Sequence, residues 1–125
     1  MNRQAGFTLL ESLVAVAILG IVLSAILPTF LTYLDANTMS EERTGALAAA
    51  QETMEQLRQL DPATLPNTGS SPLQVVSVGQ RDFEVMTHFC TANQFCGDDR
   101  RHLLIEVSYG GRTVYSVESV FTTLN

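Results

Sequence analysis

The sequence predicts an α+β chain in which one long N-terminal helix precedes a small antiparallel sheet. Three observations carry that expectation. Nearly all of residues 13–34 are apolar, apolar residues then recur at helical spacing as far as Leu60, and beyond a Pro- and Ser-rich stretch four segments alternate with strand periodicity. The 125 residues leave room for one domain plus one projecting element, not for a two-domain enzyme.

The apolar run Leu13 to Leu34 exceeds the ~20 residues needed to cross a ~30 Å hydrocarbon core, so the direct reading is a membrane helix. A cleaved secretory signal would need a shorter core followed by a small-residue site, and no A-x-A site follows here. Two residues are unusual for a plain anchor. Glu11 opens the apolar run, where an acidic side chain at membrane depth costs up to about 2.5–3.5 kcal/mol and calls for a partner. Pro28 removes an amide donor opposite the Ser24 carbonyl, and with Gly20 it marks the weakest turns of the helix.

Ahead of this run stands Gly6-Phe7-Thr8-Leu9-Leu10-Glu11, preceded by a short polar leader whose only charged side chain is Arg3. This opening resembles the class III signal of type IV prepilins and type II secretion pseudopilins over residues 1–34. The resemblance implies a pilin-like fold and an order of events. A prepilin peptidase cuts between Gly6 and Phe7 and methylates the new Phe7 amine. Glu11 then becomes the fifth residue of the mature chain and neutralises the N-terminal amine, on Phe7, of a neighbouring subunit. The physics agrees, because a carboxylate that is costly to bury alone is favoured where docking pairs it. The implied divisions are a leader at 1–6, a membrane-spanning and polymerising half-helix at 7–34, an amphipathic half-helix at 35–61, and a loop-plus-sheet head at 62–125.

Past the membrane stretch, Met39, Ala46, Ala50, Met54, Leu57 and Leu60 form a stripe expected to pack on the sheet, and Asp61-Pro62 is expected to end the helix. Residues 62–72 read as an irregular connector. Strands are expected over Leu73–Val78, Phe83–Phe89, Leu103–Tyr109 and Thr113–Thr122, the last two joined by the Gly110-Gly111 hairpin. Alternation puts Leu103, Ile105, Val107 and Tyr109 on the helix-facing side, with Tyr115, Val117 and Phe121 on the neighbouring strand.

Cys90 and Cys96 are expected to form a disulfide, since an even cysteine count beyond a membrane segment suits an oxidising compartment. Zinc held by both cysteines with His88 and His102 is the competing reading, but the spacing is not that of a finger or knuckle. The two histidines otherwise read as surface residues. Asp98-Asp99-Arg100-Arg101 reads as a solvated turn with self-compensating charge rather than a calcium site. Thirteen acidic residues against seven arginines and no lysine, a net charge of −6, argue against direct nucleic-acid binding. No H-E-x-x-H, phosphate-cradling glycine loop or G-x-S-x-G elbow is present. The expectation is therefore a non-enzyme with no catalytic residue, metal or cofactor.

The resemblance implies a structural subunit of a type IV pilus serving motility, adhesion or DNA uptake. The small head and the Glu11-Ser12-Leu13-Val14-Ala15 segment look more like minor than major pilins. A secretion pseudopilin is the alternative within the family, and a non-polymerising anchor with a periplasmic binding domain lies outside it. Its partners would be other pilin subunits through the helix, the prepilin peptidase, inner-membrane assembly machinery and, before assembly, lipid. The head would be periplasmic while the chain waits in the inner membrane.

Overall fold

The computed structural model describes residues 7–123. The first element, α1, runs without interruption from Leu9 to Arg58 and passes through both Gly20 and Pro28. The chain divides into two units at Thr38/Met39. In the first, every described side chain is exposed, and the hydroxyls of Ser24, Thr29, Thr32 and Thr38 fold back onto carbonyls three or four residues earlier. That bonding lets polar residues sit in an apolar helix without presenting unpaired donors.

In the second unit, α1 continues from Met39 and lies on a five-stranded antiparallel sheet. β1 (Gly69–Ser70) and β2 (Gln74–Val78) both pair with β3 (Arg81–Phe89), which pairs with β4 (Arg100–Tyr109), itself paired with β5 (Arg112–Thr122). The connector thus holds more structure than expected: a 3₁₀ turn at Pro62–Thr64, capped by Asp61 Oδ1 accepting from Ala63 N at 2.9 Å, and the two-residue strand β1. α1 stops at Arg58, where Gln59 and Leu60 donate to Gln56 and Leu57 in tighter i→i+3 bonds.

The core follows from alternation. Phe83, Val85, Ile105 and Val107 point at α1 and meet Ala46, Ala49 and Ala50, while Leu103, Phe89, Phe121 and Leu65 fill a second cluster. The stripe needs correction at its ends, because Met39 and Leu60 are exposed and the buried positions instead include Ala49 and Thr53. Small residues dominate the contact because the helix approaches the sheet closely. A Cβ on Gly45 would lie 2.6 Å from Cζ of the fully buried Phe83. Gly110 and Gly111, with φ of 59° and 75°, supply the positive dihedrals of the two-residue hairpin. Glu41 pairs with Arg81 beside the β2–β3 turn and Glu42 with Arg112 beside the β4–β5 turn, at 3.1 and 2.8 Å, so adjacent helix residues hold both hairpins.

Gly45→Ala should destabilise the head by about 1–3 kcal/mol, the usual cost of overpacking a filled core. Denaturant unfolding of the detergent-solubilised chain checks this, and Phe83→Leu in the same chain should recover part of the loss.

Candidate functional site

The segment around the expected processing and pairing residues begins at Phe7; Gly6 lies outside the described residues. Phe7, Leu9 and Leu10 are exposed, and Thr8 opens the helix. Thr8 Oγ1 accepts from Glu11 N at 3.3 Å, while Thr8 O accepts from Ser12 N at 3.1 Å and Ser12 Oγ at 3.3 Å. Thr8 therefore acts as N-cap and Glu11 stands three residues in, where the free amides of a helix start favour negative charge. The T-x-x-E spacing is that of a capping box, and the Thr8 half of its bonding is formed here. Among the described residues, no cation pairs with the Glu11 carboxylate.

From Leu9 to Leu34 the large apolar side chains stand exposed on every side of the helix, so no single stripe distinguishes a buried face. The helix is long and apolar enough to cross a membrane. Gly20 has nothing within 4 Å of an added Cβ, so it makes no close approach within the chain. Pro28 leaves Ser24 O without its helical donor, while Thr32 Oγ1 donates to Pro28 O at 3.0 Å. Gly20 and Pro28 both stand within the unbroken α1, and neither is brought to any other site residue among the described residues.

Cys90 and Cys96 are joined, with Cα atoms 5.9 Å apart, and the five residues between them include the 3₁₀ turn Asn93–Phe95. Cys90 adopts φ of 54°, a left-handed conformation that side chains other than glycine rarely take, so the chain reverses sharply as it leaves β3. Two residues read as solvated are buried. His102 is covered by the disulfide loop, with Thr91 Oγ1 3.2 Å from Nδ1, the Phe95 ring stacked at 6.3 Å and Glu118 Oε2 at 3.6 Å.

Arg101 is the second, because β4 begins at Arg100 and alternation turns Arg101 toward α1. Its guanidinium donates to three carbonyls: Leu65 O at 3.2 Å, Arg100 O at 2.9 Å and Gly97 O. It thereby ties the connector to the disulfide loop. Among the described residues no buried side-chain polar atom lacks a partner, and no three His, Cys, Asp or Glu side chains are grouped to hold a metal.

Residues 1–27 match the family profile described as the prokaryotic N-terminal methylation motif. This is the class III prepilin signal of type IV pilins and pseudopilins, a motif of structural subunits rather than of an enzyme family. Neither the curated proteins nor the solved structures compared with the chain include a significant match.

Thr8→Ala should cost the first turn about 1 kcal/mol, seen as faster amide exchange at Leu10, Glu11 and Ser12 with the head unchanged. Arg101→Met should destabilise the head by about 2 kcal/mol by orphaning buried carbonyls. Limited proteolysis should then cut first within the connector at residues 62–72.

Proposed function

We propose that this chain, bearing the class III prepilin signal, is a minor structural subunit of a type IV pilus. The single observation that supports a polymerising role best is the exposed apolar surface of Leu9–Leu34, with Glu11, which has no cationic partner among the described residues, at its start. Water is excluded as a stable environment for that surface, which leaves lipid or similar helices. Lipid leaves the carboxylate without a counter-charge; a neighbouring helix whose N-terminal amine lies alongside supplies one.

In this reading the prepilin peptidase removes residues 1–6 and methylates the Phe7 amine. The chain waits in the inner membrane with its head in the periplasm, where the Cys90–Cys96 bond is maintained. On assembly the helix leaves lipid for a bundle of other subunits' helices, and Glu11 offsets the amine of a neighbour. The weakened turns between Gly20 and Pro28 allow the segment to adjust its length within that bundle. Pro28 also supports a pilus over a secretion pseudopilus, since pseudopilin helices tend to lack it, and the small head supports a minor subunit.

Mass spectrometry of the membrane-extracted protein should find Phe7 as the first residue, carrying a methyl group. An intact residue 1 in the mature cell fraction would instead support a non-polymerising anchor. Gly6→Glu should leave the precursor uncut in the membrane. Glu11→Val should be inserted and processed normally yet be depleted at least tenfold from sheared filaments; normal incorporation would count against charge pairing as the assembly step.

A further inference from the structure

One polar constellation on the head is not used by the function proposed above. Ser70 Oγ lies 2.6 Å from His88 Nδ1, and His88 Nε2 lies 3.1 Å from Glu106 Oε2. Three strands build it. Ser70 on β1 is registered opposite His88 on β3, and Glu106 on β4 sits two residues from Leu104, the direct partner of His88. All three side chains lie on the sheet face turned away from α1, because the helix-facing set on β3 and β4 is the alternate one: Val85, Thr87, Phe89, Leu103, Ile105 and Val107.

The hydrogen-bond chemistry sets the tautomer. An ionised carboxylate only accepts, so the ring proton of neutral His88 is on Nε2, donated to Glu106. Nδ1 then carries the lone pair and accepts from the Ser70 hydroxyl. This is the order of nucleophile, base and orienting acid that activates a serine for attack. The site is open to solvent, since Ser70 is exposed and the His88 and Glu106 side chains keep 24% and 42% of their surface accessible.

We propose that Ser70 is an acyl-acceptor site, a nucleophilic hydroxyl that takes the acyl group of a small unhindered carboxylic ester. Ser70 Oγ attacks the ester carbonyl carbon as its proton passes to His88 Nδ1. When the tetrahedral adduct collapses, the bond from that carbon to the alkoxide oxygen breaks. The alkoxide takes the proton back from Nδ1 and departs as the alcohol, leaving an acyl ester on Ser70. Glu106 is a positioning residue that holds the tautomer. The step is stoichiometric and modifies the head, so it adds a modification site without requiring turnover.

The head supplies its own control. Ser77 is also exposed, and its Oγ donates to Asp82 Oδ1 at 2.6 Å, a carboxylate in place of an imidazole. The full chain, solubilised in detergent, is treated with p-nitrophenyl acetate, and peptide mass spectrometry follows acetylation at each serine. General-base assistance contributes at least about 10²-fold, so Ser70 should be labelled about 10² times faster than Ser77. His88→Gln should bring Ser70 down to the Ser77 rate without altering Ser77. Glu106→Gln, whose amide can donate to Nε2 and so place the ring proton on Nδ1, should slow Ser70 as strongly, while Glu106→Asp should restore labelling. Equal rates at Ser70 and Ser77 in the unsubstituted chain would overturn the proposal even if the variants failed to fold. So would a Ser70 rate indifferent to His88→Gln, leaving the three residues as a polar ladder that fastens β1 to β3.

Discussion

The constraint on which the rest depends is the apolar surface of Leu9–Leu34, which none of the described residues covers. Burying one large apolar side chain is worth about 1.5–3 kcal/mol, whereas an exposed ion pair contributes about 0–1 kcal/mol. With more than a dozen such side chains on this helix, their removal from water outweighs any single polar contact in the molecule. The internal bonding of Ser24, Thr29 and Thr32 has the same cause, since a hydroxyl already bonded to its own helix adds little penalty in an apolar setting. Glu11 is different. Its backbone amide belongs to the Thr8 cap and its charge suits a helix start, but the carboxylate has no cationic partner among the described residues. Local capping and pairing between chains are compatible roles for one residue.

The head solves a separate problem. Twenty residues of helix, Met39–Arg58, must bury enough surface on a small sheet to define a single packing, and the chain does so by approaching closely rather than by using bulky side chains. Ala46, Ala49, Ala50 and Gly45 let Phe83 reach the helix backbone. Away from that contact the connector and disulfide loop are held by polar means, with Arg101 reaching carbonyls in both. A buried guanidinium bonded to carbonyls is tolerable only while those acceptors stay in place, so the disulfide next to Gly97 supports the connector indirectly.

Periodicity made the long helix, the four principal strands and the helix-facing set from Leu103 to Tyr109 legible, because alternation and helical spacing are direct records of which side is buried. The Gly110-Gly111 turn was legible for a stereochemical reason. What escaped detection had short or nonlocal causes. β1 is two residues long and takes its place from pairing with Phe89 and His88, which no local pattern encodes. Arg101 reads as part of the self-compensating charged run Asp98-Asp99-Arg100-Arg101 and His102 as a surface histidine, yet one residue of strand register and the overlying loop bury them. Ser70, His88 and Glu106 are 18 residues apart at each step, so their meeting depends on tertiary pairing alone.

The account rests most directly on what covers the apolar helix. A spin label at Ile18→Cys, compared in membranes and in assembled fibres, reads collisions with oxygen, which enters lipid, and with a water-soluble nickel chelate. The account predicts high oxygen and negligible nickel access in the membrane, then loss of oxygen access in the fibre as neighbouring helices replace lipid. Free access of the nickel chelate in both states would contradict it.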